Sequence, residues 1–546
     1  MKKFKLNFIV LLFPLLIFSQ TPKFNKFKAD SSNWWKAEHF IDSLASISWN
    51  KGLAYLFQKN NRPKKQINIA VLDTDFDLNH KMLKNILWTN NNEIVGNFID
   101  DDKNGYIDDY WGWNFLGIKN KDSSLAYVLV EESRILKRMD SVSFRSLRLK
   151  NKLPFGYEDV LSSYNSTVAS LKDEIKPYKE IEANYTYIMD TLTKLFSDKV
   201  TLQNLSRYTT NNDTIMGYVN FAKYYYENDF PYDEFIRYLK LKELSLDICM
   251  NLNYNNRSLI LDESEDFKDR YYGNHIFGKN ISVLEHGTAV SGILASSVLD
   301  SMDMKNDKSV QNYPIKIMPI TFTGIGDFTD KDFYVSFQYA IKNGANIINL
   351  SQGKTFSIEP KILKKALSLA ERKNVLVVMS AGNQSRDLDQ NWRFPQSVSR
   401  LFDKEFSNIL IVGASSKKIG KNLLDENTNY GLHSVDIFAP GVDISTYLPF
   451  NEFTTKSGTS FAAPIVTNVA ALIWSHYPEL KASQVKNIIL NSGVAYDGLV
   501  NIPYDEEKKL GSEKDIVQKP FQNLSKSGKI INAYNALILA ESINSN

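Results

Sequence analysis

Short runs of β-branched and apolar residues recur along the chain at Gln66–Asp73, Ile315–Ile320, Ala345–Leu350, Val375–Ser380 and Ile409–Val412. Runs of this length that are continuous rather than alternating predict parallel strands buried on both faces. Between them, Lys331–Asn343 and Glu359–Lys373 have helical character, and Asn343 with Gly344 closes the first as a C-terminal stop. Strand and helix in alternation predict an α/β domain with a doubly wound, mostly parallel sheet. Ligand sites in such sheets lie beyond the carboxyl ends of strands, where Asp73, Ser351 and Ser380 fall.

The interval 119–274 has a different pattern, with many Lys, Glu, Tyr and Leu. Val160, Tyr164, Val168, Leu171 and Ile175 keep helical spacing, which resumes after Pro177 at Ile181, Tyr185, Ile188, Leu192 and Leu195. Two amphipathic helices in a hairpin are expected, with further helices over Met216–Glu227 and Tyr232–Met250. The interval is a large helical insertion, either a structural module or a lid that binds an unknown partner. It divides the α/β domain into residues 66–118 and 275–546.

At the N-terminus, the basic start Met1 Lys2 Lys3 Phe4 Lys5 and the apolar stretch Leu6–Phe18 precede Ser19. This predicts a signal peptide over residues 1–19 and export to the periplasm or the medium. No later run is long enough for a membrane span. Residues 20–65 carry Trp34, Trp35 and Trp49, which are expected to pack onto the α/β domain.

Composition narrows the function only a little. With 43% hydrophobic and 23% charged residues and a formal net charge of +3, the 546-residue chain is ordinary for a globular protein and a poor candidate for nucleic-acid binding. Cys249 is the single cysteine, so an intrachain disulfide is impossible, and its setting between Ile248 and Met250 suits a small buried side chain.

The chemistry gathers in three stretches. "GTSFAAP", Gly458–Pro464, precedes the apolar run Ile465–Trp474 of a buried helix. Ser460 there is either the helix cap or a nucleophile at a helix N-terminus. A nucleophile needs a base and an orienting acid, and "EHGTAVSGILA" with His286 and "VLDTD" with Asp73 supply those residue types. In the order Asp, His, Ser, the set resembles the subtilisin-like serine proteases. The resemblance implies a subtilisin-type fold, protein or peptide substrates, and a triad of Asp73, His286 and Ser460 that needs no cofactor. It further implies that Asn383 in "SAGNQ" donates to the oxyanion. Leu350, Ser351, Gln352 and Gly353 on one side, and Ser380, Ala381 and Gly382 on the other, would bind substrate. Asp75 stands where the family has glycine, Gln352 where an apolar residue is usual, and Lys354 where a second glycine is common. Asp75 sets a further negative charge close in sequence to Asp73.

One more motif remains. "IDDDKNGYIDDYW" places Asp100, Asp102, Asn104, Tyr106 and Asp108 at alternating positions around Gly105, as in a calcium loop, although Trp111 stands where the closing glutamate belongs. A structural calcium and a solvated acidic turn are both open. The sequence therefore points to an exported serine endopeptidase. The alternatives are a catalytically weak or inactive polypeptide-binding relative, and an interaction protein working through the insert.

Overall fold

The computed structural model describes residues 33–39, 43–228, 230–255, 257–262, 266–299, 315–502 and 517–544. The expected signal peptide lies outside them. Among the described residues, nine strands form one sheet. Its main strands are β1 (Ile67–Asp73), β2 (Trp113–Asn114), β3 (Ile315–Thr321), β4 (Ile347–Leu350), β5 (Leu376–Ser380), β6 (Ile409–Ser415) and β7 (Ile437–Pro440). Their spatial order is β7-β6-β5-β4-β1-β3-β2, extended beyond β7 by Lys529–Ile530 and Val494–Ala495. The pairs are parallel apart from the last two short strands.

The apolar runs are continuous because both faces of the sheet are covered. Ile67, Ile69 and Val71 of β1 point into one core, while Ala70 and Leu72 point into the other. The helices Asp330–Lys342 and Pro360–Arg372 cover one face through Phe333, Phe337, Leu363 and Leu367. Leu284–Leu299, Thr459–His476, Ala482–Ser492 and Ala533–Asn544 cover the other. The fold is thus doubly wound α/β, as expected. After β3 the chain crosses back over β1 to β4, so the strand order reverses at β1 and opens a crevice at its carboxyl end.

Trp34, Trp35 and Trp49 are buried in the second core. Trp35 and Trp49 lie 5.9 Å apart, and Trp34 Nε1 donates to the Val442 carbonyl at 3.1 Å.

Hydrophobic contacts divide the 119–274 interval. Leu125, Val128, Ile135, Phe155 and Val160 join the core of the sheet, whereas Tyr185, Leu192, Val219, Phe235 and Leu239 form a small core of their own. The hairpin expected at Pro177 is instead one 40-residue helix, Tyr157–Phe196. A proline inside a helix removes one hydrogen bond and costs about 3 kcal/mol. Here Tyr178, the next residue, packs on Phe235 with ring centroids 5.5 Å apart, and such contacts carry the helix across the break. The helix expected over Tyr232–Met250 ends at Leu244 and widens into a π turn, Ser245–Cys249. Cys249 is buried there, its thiol donating to the Ile325 carbonyl at 3.2 Å, and burial pushes its pKa up to about 12.

Lys354 clamps the interval to the sheet. Its fully buried Nζ lies 2.8 Å from Asp330 Oδ1, 3.2 Å from Glu131 Oε2 and 3.1 Å from the Phe328 carbonyl, and Glu131 opens the helix Glu131–Arg138 of the interval. Removing one member of a buried ion cluster strands the others without compensation. Lys354→Ala is therefore expected to cost about 3–5 kcal/mol, read as a lower urea midpoint.

Candidate active site

Asp73 is the last residue of β1 and is fully buried. Its Oδ1 accepts from the Thr74 amide at 2.7 Å and from His286 Nδ1 at 2.6 Å. His286 lies in the first turn of Leu284–Leu299. A proton on Nδ1, held by the carboxylate, leaves Nε2 as the basic nitrogen. Burial pulls the imidazole pKa down, but Asp73, with help from Glu285, outweighs it and holds the value above that of an ordinary histidine.

Ser460 is the second residue of Thr459–His476 and does not cap it. The cap position is Gly458, at φ +130°, and the Thr459 amide donates to Asn383 Oδ1 at 2.9 Å. Pro464 has no N–H for the Ser460 carbonyl. Ser351 Oγ fills that role at 2.9 Å, while Ser460 Oγ donates back to the Ser351 carbonyl at 3.2 Å. The ring of Phe461 lies 5.8 Å from that of His286, so the first turn of this helix stands beside the histidine.

Asn383 is fixed through its oxygen, which accepts both from the Thr459 amide and from Thr459 Oγ1, the latter at 2.8 Å. Thr459 Oγ1 in turn accepts from the Gly382 amide at 3.0 Å. The Asn383 amide nitrogen takes no acceptor among the described residues. A side chain at Gly458 would place its Cβ 3.1 Å from that nitrogen, in a backbone conformation L-residues rarely adopt.

Leu350–Gly353 leaves β4 and Ser380–Gly382 leaves the neighbouring β5. Gln396 Nε2 joins the two, donating to the Ser380 carbonyl at 2.8 Å and to the Gln352 carbonyl at 3.2 Å. Gln352, expected to line the substrate site, turns its own side chain toward Asp73 Oδ1 at 3.3 Å. Asp75 is held by the amides of Phe76 at 2.8 Å and Gly278 at 3.1 Å, and burial pushes its pKa up to about 6.

Thr459 and Gln396 carried no sequence signal of their own, because neither is a reacting residue type and both act through long-range contacts. The acidic loop brings together part of the expected set. Among the described residues, the carboxylates that converge within 4.8 Å are those of Glu93, Asp100 and Asp102. Asp108 accepts instead from the Gly96 and Phe98 amides, Asn104 Oδ1 from the Tyr106 amide, and Tyr106 is buried against Trp113 and Tyr339. Glu93 lies outside the loop motif, so spacing within the loop could not find it.

Glu285 pairs with Lys456 and lies 3.7 Å from Arg237 of the helical insert. Its charge favours the protonated imidazole. Glu285→Gln leaves Lys456 to oppose that form, so the pKa of His286 should fall. For a histidine acting as a base in its neutral form, the role expected of His286, the acid limb of kcat/KM then moves to lower pH in this variant.

A sequence model of the subtilase family matches residues 64–512. The chain is 28% identical to subtilisin DY of Bacillus licheniformis over 257 residues, 45% of this chain and 81% of that protein. It is 30% identical to the cell wall-associated protease of Bacillus subtilis (strain 168) over 221 residues, 40% of this chain and 22% of the relative. Among solved structures it is similar to the prenylagaramide maturation protease PagA, at 25% identity and a TM-score of 0.35, over 47% of this chain and 83% of that one. With a strand-end acid bonded to a helix-start histidine beside a serine helix, and with the family match spanning most of its length, this chain belongs to the subtilase family.

Proposed function

We propose that the chain is an exported serine endopeptidase that cleaves peptide bonds through an acyl-enzyme. The observation that carries this reading is the 2.6 Å bond between Asp73 and His286 beside the N-terminus of the serine helix. In this mechanism Ser460 Oγ turns from the Ser351 carbonyl toward His286 Nε2, loses its proton there and attacks the substrate carbonyl. Asp73 holds the imidazole and stabilises it once protonated. The oxyanion lies between the Ser460 amide and Asn383 Nδ2, which is already oriented because its oxygen is tied to Thr459. His286 then protonates the leaving amine, and water repeats the sequence on the acyl-enzyme.

The substrate is an extended polypeptide lying along Leu350–Gly353 and Ser380–Gly382. Among the described residues, no helix is long and apolar enough to cross a membrane. Calcium is a structural ligand in this reading, held by Glu93, Asp100 and Asp102, and the triad chemistry does not use it. Its fit is partial, because both oxygens of Asp100 already accept amide bonds from Asn104 and Gly105.

Fluorophosphonate labelling of the purified mature chain, with and without calcium, tests the proposal. Labelling of the wild type in both conditions is expected. A folded chain that takes no label would favour a polypeptide-binding protein without hydrolysis.

A further inference from the structure

The guanidinium of Arg393 sits between the segments that leave β4 and β5. A Cβ built on Gly353 would lie 2.8 Å from its Nε and 2.9 Å from its Nη2, and one on Gly382 would lie 2.6 Å from Nε. Glycine on both flanks is what lets the planar group lie in this slot. Gly382 is followed directly by Asn383, so this flank of the slot adjoins the residue proposed to donate to the oxyanion.

The position is built rather than incidental. The Arg393 amide donates to Ser397 Oγ at 3.0 Å, and its carbonyl accepts from the Ser397 amide at 2.7 Å. Phe394, the next residue, exchanges both backbone bonds with Lys354, at 2.7 and 2.8 Å, and Lys354 is itself anchored by Asp330 and Glu131. Yet the guanidinium's bonding capacity is largely unused. Among the described residues Arg393 forms no ion pair, its Nε is buried without an acceptor, and only Nη1 is engaged, donating to Gln384 Oε1 at 3.1 Å. Burial pulls its pKa down to about 10 against the pull of Asp327, so it stays charged at neutral pH. A partly buried guanidinium whose Nε lacks an acceptor, with the Asp327 carboxylate acting on it only from beyond ion-pair distance, gains from an anion that completes it. The guanidinium fork matches a carboxylate in shape and charge.

We infer that Arg393 is the floor of the pocket for the residue whose carbonyl is attacked, and that it selects glutamate or aspartate there, an inference that rests on the peptidase reading above. The test uses the purified mature chain and peptides that differ only at the residue before the scissile bond, carrying Glu, Asp, Gln, Ala, Leu or Lys. An acidic residue is expected to raise kcat/KM over Gln by about 10- to 100-fold, the range of a charge-assisted hydrogen bond. Arg393→Gln should erase that ratio, and Arg393→Lys should keep part of it, with charge but no fork. If Arg393→Gln does not fold, the wild-type ratio of Glu to Gln decides alone. Cleavage that depends on Ser460 but favours apolar or small residues would overturn the inference and leave the peptidase reading standing. Neither fluorophosphonate labelling nor cleavage of any peptide would overturn both.

Discussion

Ser460→Ala is expected to lower kcat by about a million-fold and to abolish fluorophosphonate labelling, while the melting temperature shifts by no more than a few degrees. The size of the kinetic loss is the one found in subtilisin, a member of the same family, and is not computed from these distances. The reason to expect it here is that, in the proposed mechanism, Asp73 and His286 act only through the serine. Their 2.6 Å bond fixes the imidazole tautomer, and without a hydroxyl to deprotonate that arrangement has no covalent step to assist. Stability is spared because Ser460 Oγ makes one bond, to the Ser351 carbonyl, and one such bond contributes about 1 kcal/mol. The Ser351 Oγ bond to the Ser460 carbonyl survives the change. Adding His286→Ala to Ser460→Ala should cost little more, because residues that work as a unit are lost as a unit. Single-turnover kinetics and thermal unfolding of the two variants check this, and a single variant that retains a thousandth of wild-type kcat would argue against the triad.

The second large effect is at Asn383. Asn383→Leu is expected to lower kcat by about 100- to 1,000-fold with little change in KM, the range known for the corresponding loss in subtilisin itself. In this chain the same residue has a structural task, because its oxygen accepts from both the amide and the hydroxyl of Thr459 at the start of the serine helix. Leucine removes donor and acceptor together, so lost activity alone would not separate catalysis from a frayed helix. Asn383→Asp makes the separation. A carboxylate still accepts from Thr459, and its charge suits a helix N-terminus, but it cannot donate to an oxyanion and repels it. This variant is expected to be at least as inactive as the leucine variant while unfolding close to the wild type. Recovery of activity in it would show that Asn383 matters only for the helix start.

Much of the fold was legible in the sequence because its signals are local. An apolar run such as Ile67–Asp73 declares a strand covered on both faces whatever its neighbours are, and residues 465–474 declare a buried helix. Asp73, His286 and Ser460 stood out as candidates for the same reason, since each is a reactive residue type on the terminus of a recognisable element. The capping reading of Ser460 could not be excluded from the sequence, because the competing partner, Asn383, is 77 residues away along the chain and only the packing of β5 against the serine helix brings it there.

What the sequence by itself determined is therefore the α/β class, the main strands and helices of the sheet, and the candidate triad residues that the family resemblance singles out, all properties written in consecutive positions. Only the tertiary structure decided which side chains meet across the strand order 7-6-5-4-1-3-2. That order put Gln352 on Asp73, Lys354 between Glu131 and Asp330, and Arg393 between two glycines of adjacent strand ends. The separate core of the insert carried one helix through Pro177, where the local penalty of about 3 kcal/mol is outweighed by packing such as that of Tyr178 on Phe235. The physical reason is the same in each case: propensity and periodicity are short-range, whereas the pairing of a buried charge or the filling of a slot depends on contacts between segments far apart in the chain.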